Sequence, residues 1–262
     1  MTYQNIIVAV REGVATITLN RPDQMNPLDW GTVRELQACL AALEDDRGVR
    51  AIVITGNGAA FSAGGDLKGY LSLYKRAEDF RKFLRDLWDV CERLERSANV
   101  VIAAVNGYCL AGGIELMLAC DLVVASEEAR IGDAHLNFGQ LPGGGGSQRL
   151  PRAIGVPRAK QFFFTGEWVS GREAERIGLV NQAVPADQLM AAVDGLVRRV
   201  LAKSPAGLKG IKYLVNEGMQ VNLHAGLELE LNYVHGYATT HPDAMEGLIA
   251  FSEKRKPHFE GG

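Results

Sequence analysis

Two continuous apolar runs constrain the fold of this chain more than any other feature. They are "AIVIT" at 51–55 and "VVIAAV" at 100–105, and a glycine-rich turn follows each of them directly. Runs rich in Val and Ile without polar alternation are typical of strands buried on both faces. The two runs therefore predict neighbouring strands of one core, and helical patterns between them favour an α/β fold.

The rest of the chain fits around these two strands. "IIVAVREG" and "VATITLN" are short β-rich runs separated by Glu12 and Gly13, which predicts a hairpin. Apolar residues at helical spacing predict a helix from Leu28 to about Asp46, and about 71–97 is a long amphipathic helical stretch.

From about residue 146 the pattern is mostly helical, interrupted by a short predicted strand, "LVNQAV". A chain of 262 residues is long enough to bury one substantial core. We expect a single α/β core over residues 1–200, followed by a helical region over 201–262. No internal repeat at a fixed period is visible.

Composition excludes several classes of function. The net charge of −3 and pI near 6.0 give no electrostatic footprint for nucleic acid or anionic lipid, so neither partner is expected. The four cysteines form no CxxC pair and have no ligand-like spacing with histidine, which favours reduced core thiols and no metal. The first residues show no basic stretch followed by an apolar signal core, so a cytoplasmic protein is expected.

The first glycine cluster is "TGNGAAFSAGGDLKG" at 55–69. It fails as a dinucleotide fingerprint because Phe61 stands where a third glycine is needed, and no GKS or GKT follows to make a P-loop. Gly64 and Gly65 precede a helix predicted to begin near Asp66, where free N–H groups suit an oxygen that becomes negative. The alternative is a tight strand-to-helix connection without a ligand.

The second cluster is "NGYCLAGGIEL" at 106–116, and its Gly112 and Gly113 open a predicted helix. The first N–H groups of this helix are also unsatisfied. If the two turns face one another, one N–H from each forms a two-donor oxyanion hole, which stabilises an enolate or a tetrahedral intermediate.

Glu115 is a single carboxylate in the apolar stretch "LAGGIELML". On a helix its neighbours one turn away are Ala111, Gly112, Leu118 and Ala119, so its face is small and apolar. Desolvation there raises the pKa of the carboxyl towards neutrality, as a general acid or base requires. The alternative is a solvated glutamate on an outer face.

The third cluster lies in "IGDAHLNFGQLPGGGGSQRLPRAIG" at 131–155. Its glycines at 143–146 end in Ser147, the predicted N-cap of a helix, and the loop either lines a pocket or only turns the chain. Asp133 and His135 are the strongly titratable side chains of an otherwise apolar segment. They are candidate site residues, although a lone histidine is more often structural.

Taken together, five motifs resemble the enoyl-CoA hydratase/isomerase, or crotonase, family from end to end. They are "FSAGGDLKG", "AVNGYCLAGGIELMLACDLVVAS", "LPGGGGSQRLPRAIG", "GLVNQAV" and "AFSEKRKPHF". The resemblance implies a crotonase-like spiral core of repeated ββα units and a C-terminal helical trimerisation region. It further implies a homotrimer, or a homohexamer made of two trimers, and an acyl-CoA thioester substrate. Coenzyme A would be part of that substrate, with no separate cofactor.

The resemblance also implies roles for matching residues. The oxyanion-hole N–H groups would be those of Gly65 and Gly112. Lys68 is a candidate partner for the CoA phosphates, against the alternative of an ordinary surface lysine. Lys254 or Lys256 would add to the phosphate or adenine region, across a subunit boundary. The segment that would border the CoA moiety is Gly65, Asp66, Leu67 and Lys68.

Family hydratases use two glutamates, and only the first has a match here. Glu115 would activate the water that adds at C3 of a trans-2-enoyl thioester. The second glutamate lies twenty residues later in a typical "GQPE", where this chain has "GDAH" and therefore His135, with Asp133 two residues earlier. A histidine with a pKa near its usual ~6.5 can act as acid or base at C2.

The leading hypothesis is thus a hydratase in which His135, oriented by Asp133, handles the C2 proton. Alternatives through the same enolate are double-bond isomerisation, thioester or C–C hydrolysis, and decarboxylation. A non-catalytic acyl-CoA-binding protein is the alternative from another class.

The segment 69–98 is where the family usually builds part of its acyl pocket. Tyr70, Leu71, Leu73 and Tyr74 would shape this pocket for a bulky or branched acyl group. The alternative, which the periodicity favours, is that they are core contacts of an amphipathic helix.

Overall fold

The computed structural model of the protein describes residues 2–259, which form two β-sheets surrounded by helices. The strands are β1 (Ile6–Arg11), β2 (Val14–Leu19), β3 (Ala51–Gly56), β4 (Ala60–Ser62), β5 (Val100–Val105), β6 (Tyr108–Leu110), β7 (Leu122–Ser126), β8 (Arg130–Gly132), β9 (Val169–Ser170) and β10 (Gln182–Val184). The helices are α1 (Trp30–Glu44), α2 (Leu67–Leu73), α3 (Ala77–Arg96), α4 (Gly112–Leu118), α5 (Gly146–Ile154), α6 (Val156–Thr165), α7 (Gly171–Arg176), α8 (Leu189–Leu201), α9 (Pro205–Gly218), α10 (Leu223–Thr240) and α11 (Pro242–Ser252).

The larger sheet has six strands in the order β1-β2-β3-β5-β7-β10, and it is parallel except for the antiparallel β1–β2 hairpin. The predicted hairpin and the two predicted buried strands are therefore confirmed. Alternate residues of β3 and β5 face opposite layers: Ile52 and Val101 join the core with α1 and α3, whereas Val53 and Ile102 pack with α8. Helices cover both faces, which is why these strands are apolar apart from Thr55.

The smaller sheet has the order β4-β6-β8-β9, and its first three strands are parallel. Each of its parallel strands follows a strand of the larger sheet and precedes a helix. The resulting units β3-β4-α2, β5-β6-α4 and β7-β8-α5 confirm the ββα repeat that the resemblance implied. These units begin at residues 51, 100 and 122, so their unequal lengths explain why no fixed period is visible in the sequence.

The carboxyl ends of β4, β6 and β8 lie side by side at one edge of the smaller sheet. Ser62 pairs with Cys109, and Leu110 pairs with Gly132. Because parallel strands end at the same edge, the turns that follow them are neighbours in space. This register brings together the three segments that hold the candidate site residues.

Beyond residue 202 the described chain contains only helices α9–α11. Helix α9 is tied to the core by the Nζ of Lys212, which lies 2.7 Å from Asp121 Oδ2 and also donates to two backbone carbonyl oxygens. Helix α10 has no buried residue. The division into units at residue 200 stays a prediction. No helix formed by residues 2–259 is long and apolar enough to cross a membrane.

Three predicted element boundaries differ from the structure. The amphipathic stretch 71–97 is not one helix, since the chain turns at 74–76 between α2 and α3, which lets the Tyr74 ring pack against Phe80. Ser147 is not an N-cap, because α5 already begins at Gly146, whose N–H is directed to a side chain of the site. The strand in "LVNQAV" covers only Gln182–Val184.

Candidate active site

A cavity of about 520 Å³ lies at the edge where β4, β6 and β8 end. One side is formed by the glycine turns after β4 and β6 together with Glu115 and His135. The other side is formed by apolar side chains of α2 and α3. The cavity therefore combines titratable groups, backbone amides and apolar surface, as ligand sites commonly do.

Helix α4 places Glu115 in the protein interior. The helix is apolar around its axis, and its Ile114, Leu116 and Met117 have no solvent exposure, so the whole element is buried. Glu115 is only 1% exposed. The predicted desolvation is confirmed, and the alternative of a solvated glutamate is wrong.

Two backbone N–H groups stabilise the buried carboxylate. The amides of Gly144 and Gly146 donate to Glu115 Oε1 at 2.8 and 2.7 Å. Burial raises the pKa of Glu115, and the charge of His135 and these two hydrogen bonds offset only part of that rise. Because both N–H groups bind Oε1, the second oxygen, Oε2, is left to face the cavity side.

The close approach of the 143–146 loop depends on glycine. A Cβ on Gly144 would lie 3.1 Å from Glu115 Oε2, and a Cβ on Gly146 would lie 3.1 Å from Glu115 Cγ and Oε1. Arg149 stabilises this loop, because its Nη1 donates to the Gly144 carbonyl oxygen at 2.6 Å. The same guanidinium forms a two-point ion pair with Glu95. The sequence left open whether this loop lines a pocket, and the structure shows that it holds the carboxylate.

His135 lies between two carboxylates. Its Nδ1 is 2.9 Å from Asp133 Oδ2, and its Nε2 is 3.7 Å from Glu115 Oε2. Asp133 is 1% exposed and also accepts the backbone N–H of His135 at 3.2 Å. Burial alone would lower the pKa of His135, but the hydrogen bond and charge of Asp133, with the charge of Glu115, raise it overall. The geometry favours an imidazolium whose Nε2 side faces Glu115.

The two glycine turns after β4 and β6 pack directly on one another. Gly64 has a φ of +100°, and a Cβ there would lie 2.9 Å from the Leu110 carbonyl oxygen and 3.0 Å from the Gly112 nitrogen. Gly65 and Gly112 both line the cavity. Within residues 2–259, neither of their N–H groups donates to a protein acceptor. The two turns are therefore in contact, and each contributes to the cavity lining a glycine whose amide has no protein acceptor among the described residues.

The residues expected to border the CoA moiety also line this cavity. Asp66 is the N-cap of α2 and accepts the Lys68 backbone N–H at 3.1 Å. The Lys68 side chain is exposed at the rim of the cavity. Leu67 follows Asp66 along the same wall. Lys254 and Lys256 are exposed and lie outside the lining of this chain's cavity.

Sequence reasoning missed one wall segment, the loop around Met25. Met25 and Asn26 have φ values of +61° and +54°, and the Asn26 side chain donates to the carbonyl oxygens of Ala60 and Asn57 at 2.7 and 2.9 Å. The available signal was the concentration of Asn, Asp and Pro in "NRPDQMNPL", which is typical of a tight turn.

The predicted acyl-pocket residues separate into two groups. Tyr70 and Tyr74 line the cavity, whereas Leu73 is buried in the core and Leu71 is exposed outside the cavity lining. Further lining side chains come from α3 and the loop after β8, and sequence reasoning did not assign them. They are Phe80, Phe83, Leu84, Leu87, Phe138, Gln140 and Leu141.

The aromatic side chains form one continuous cluster, which we call the aromatic wall: Tyr70, Tyr74, Phe80 and Phe83. Their ring centroids are 4.5 to 6.2 Å apart. Stacked and edge-to-face contacts at such separations stabilise the ring arrangement. The aromatic wall is thus a preformed, mainly apolar part of the cavity surface.

The enoyl-CoA hydratase/isomerase family model matches residues 9–262. This chain belongs to that family. It is 37% identical over 261 residues to the crotonyl-CoA hydratase of Syntrophomonas wolfei, covering 99% of both chains. It is 36% identical to the short-chain-enoyl-CoA hydratase of Clostridium acetobutylicum, covering 98% of this chain and 97% of that one.

The fold comparison agrees with the sequence comparison. The crystal structure of an enoyl-CoA hydratase from Bacillus anthracis superposes with a TM-score of 0.93 at 38% identity, covering 99% of this chain and 100% of that one. The family and the crotonase fold predicted from the five motifs are therefore confirmed. The hydratases named here are enzymes that form or break carbon–oxygen bonds.

Proposed function

We propose that this protein adds water across the double bond of a 2-enoyl-CoA thioester. The observation that carries the proposal is the 3.7 Å approach of His135 Nε2 to Glu115 Oε2 beside the free amides of Gly65 and Gly112. Hydration needs a base for water, an acid for carbon and donors for an enolate oxygen, and these groups supply all three. The hydratase names of its relatives support the same reaction.

In the first step Glu115 acts as the base. Its Oε1 is held by two amides, so Oε2 accepts a proton from a water molecule that attacks C3 of the enoyl group. The electron pair of the double bond moves to the thioester oxygen. The N–H groups of Gly65 and Gly112 stabilise that negative oxygen as an oxyanion hole.

In the second step His135 acts as the acid. Its Nε2–H gives a proton to C2 while the enolate electrons return, and Asp133 keeps the Nδ1–H bond throughout. Glu115 is then protonated and His135 is neutral, and transfer of a proton between them restores the starting state. The net result is OH at C3 and H at C2, with no metal or further cofactor.

Mass spectrometry in D2O tests the proposal. A panel of short, branched and aromatic enoyl-CoA thioesters is incubated with the protein and with the Glu115→Gln variant. Wild type should add D2O to at least one thioester, with deuterium at C2, and the variant should not. Deuterium without added water would indicate isomerase-like chemistry instead, and binding without any exchange would indicate a non-catalytic acyl-CoA-binding protein.

Contacts to the CoA portion are part of this proposal. Lys68 stands at the cavity rim with an exposed ammonium group, which suits a phosphate. Lys68→Ala should raise the KM of the CoA thioester and leave the KM of a short pantetheine thioester unchanged. Equal KM changes for both thioesters would contradict a phosphate contact. The same comparison on Lys254→Ala and Lys256→Ala tests the contribution across a subunit boundary.

We also propose that α9–α11 assemble the protein into trimers or pairs of trimers. Leu223, Leu227 and Leu231 recur every four residues along α10, and they are 52 to 78% exposed. A leucine stripe of this kind on one chain is typical of a surface that a partner covers. Native mass spectrometry should show trimers or hexamers for wild type and for Glu228→Ala, but smaller species for Leu227→Asp. A cytoplasmic location stays a prediction.

A further inference from the structure

Tyr70 is the residue of the aromatic wall that touches a glycine turn. A Cβ on Gly65 would lie 2.1 Å from the Tyr70 hydroxyl oxygen and 2.6 Å from Cζ. The phenol head therefore packs on the bare Cα of Gly65. Gly65 is the residue whose amide is proposed to bind the thioester oxygen, so the Tyr70 hydroxyl stands beside that amide.

The Tyr70 hydroxyl has no protein hydrogen-bond partner among residues 2–259. Its neighbour differs in this respect, because the Tyr74 hydroxyl donates to Gln140 Oε1. Tyr70 is partly buried and lines the cavity. Because polar groups in such surroundings are normally paired, the free hydroxyl points to a partner supplied by a ligand.

The ring that carries this hydroxyl is held on several sides. It stacks on Tyr74 with centroids 5.4 Å apart, and it meets Phe83 and Phe80 edge to face at 5.8 and 6.1 Å. Donors that are fixed before the substrate arrives lose little free energy to reorganisation during the reaction. The packing therefore fixes the hydroxyl beside Gly65 in advance.

The protonation state of Tyr70 is also fixed. Burial, followed by the charges of Tyr74, Glu115 and Asp66, raises the pKa of Tyr70 well above its ordinary value. The hydroxyl thus carries its proton near neutral pH and is available as a hydrogen-bond donor.

We propose that Tyr70 is a catalytic residue whose hydroxyl donates a third hydrogen bond to the thioester oxygen, beside the amides of Gly65 and Gly112. The proposal rests on the proposed function in so far as that function makes the ligand a thioester. The hydroxyl adds to the stabilisation of the enolate oxygen, and no proton is transferred.

Absorption spectroscopy measures this hydrogen bond directly. The probe is 3-phenylprop-2-enoyl-CoA, a conjugated chromophore whose absorption moves to longer wavelength when hydrogen-bond donors polarise its carbonyl group. It is bound to the Glu115→Gln variant to prevent turnover. Adding Tyr70→Phe should reduce the red shift, whereas Tyr74→Phe, a matched change in the stacked neighbour, should leave the shift unchanged.

Kinetics of variants with Glu115 intact give the second readout. Tyr70→Phe should lower kcat about 10- to 100-fold, as expected for the loss of one oxyanion donor. The KM should stay as in wild type. The pH values at which kcat falls on the acid and alkaline sides should also stay unchanged, since Tyr70 does not titrate in this range. Equal loss of kcat in Tyr70→Phe and Tyr74→Phe would show a packing effect and overturn the proposal, as would an unchanged red shift.

A second variant keeps the proposal testable if Tyr70→Phe does not fold. Replacing Tyr70 by 3-fluorotyrosine makes a stronger donor of nearly the same shape, and it should increase the red shift. No increase would overturn the proposal.

The two proposals also fail separately. If wild type hydrates thioesters but Tyr70→Phe shows the same red shift as its parent, the proposed function stands and the third donor is overturned. If the red shift depends on Tyr70 but no thioester is hydrated, the third donor stands and the proposed hydratase reaction is overturned.

Discussion

The cavity has two sides that are built in different ways. The side with Glu115 is made of backbone: amides of Gly144 and Gly146 hold the carboxylate, and the Gly64 and Gly112 turns touch each other. The aromatic wall is made of side chains carried on α2 and α3. Strand register and close glycine contacts fix the first side, whereas the second side depends on side chains that a substitution can change without moving a strand. The reaction is therefore expected to depend mainly on the backbone side, with the Tyr70 hydroxyl as the proposed contribution of the aromatic wall, and substrate preference is expected to depend on the other rings of that wall.

The largest expected effect is the loss of the base. Glu115→Gln should lower kcat by about 1,000-fold or more, since general base catalysis contributes up to about 10⁴-fold. The amide oxygen of glutamine accepts the same two backbone hydrogen bonds, so the fold should be kept. Steady-state hydration kinetics measure the loss.

Thermal unfolding of the same variant is the control. The folded-state pKa of Glu115 is raised, so its ionisation above that pKa disfavours the folded state. Glu115→Gln should therefore unfold at an equal or higher temperature than wild type at neutral pH, and this gain should disappear below about pH 4. A strongly lowered unfolding temperature would mean that Glu115 is structural.

The next effect tests the backbone side without touching a titratable group. Gly146→Ala places a methyl group 3.1 Å from Glu115 Cγ and Oε1 and should displace the carboxylate. Misplacement of about 1 Å can reduce rates by about 100-fold, and a loss of that order in kcat is expected. In Gly195→Ala the new methyl group would be 3.9 Å from its nearest neighbour, so this control should keep full activity. Full activity in both variants would contradict the dependence of the Glu115 position on the glycines of the 143–146 loop.

A smaller effect, visible as a shift with pH, concerns Asp133. Wild-type activity should fall below a pKa raised above that of an ordinary glutamate, where Glu115 gains a proton. It should fall again above a pKa raised above that of an ordinary histidine, where His135 loses its proton. Asp133→Asn removes the charge that raises the pKa of His135, so the alkaline limb should move to lower pH.

The Asp133 experiment is a pH profile of kcat/KM for hydration. The Asp133→Asn variant should lose about 10-fold at pH 8 and less at pH 6. Asp187→Asn changes an exposed carboxylate far from the cavity and should leave both limbs in place. An unmoved alkaline limb in Asp133→Asn would remove Asp133 and His135 from the proposed acid.

The smallest expected effect lies on the aromatic wall. Phe80→Leu keeps an apolar side chain but removes ring contacts with Tyr70 and Tyr74. It should change the ranking of acyl groups by a few-fold in kcat/KM, because edge contacts of this kind contribute about 1 kcal/mol. The acyl-CoA panel measures this, with the C2 deuterium exchange rate of the best substrate expected to stay constant. An equal drop in kcat/KM for every substrate would contradict a role of Phe80 in substrate preference.

The sequence predicted the elements whose signals are local. The strands at 51–55 and 100–105 and the burial of Glu115 follow from composition over a few residues, whereas the sequence left open whether the two glycine turns face one another. The resemblance placed His135 at the second acid–base position, with Asp133 two residues earlier. The structure places His135 in the lining of the cavity and Asp133 beside its Nδ1, and their roles stay proposals.

What the sequence could not predict depends on distant packing. The hydrogen bonds from Gly144 and Gly146 to Glu115 join residues 29 and 31 positions apart, and only the register of β6 and β8 brings them together. Helical periodicity treated Tyr70 and Tyr74 as core contacts, because a break between α2 and α3 has no strong signal such as proline. The hydroxyl of Tyr70 beside Gly65 is likewise a tertiary contact.

Because the ββα units differ in length, different parts of the chain position the reacting groups and form the surface that meets the acyl group. The unit that starts at residue 51 carries two helices before the next strand begins at 100, whereas the following unit is complete by 122. Insertions or deletions within the longer unit change the surface that meets the acyl group, yet they leave the strand ends and the buried carboxylate where they are. The surface that meets the acyl group can therefore differ in length and side chains without a change in the strand ends that position Glu115.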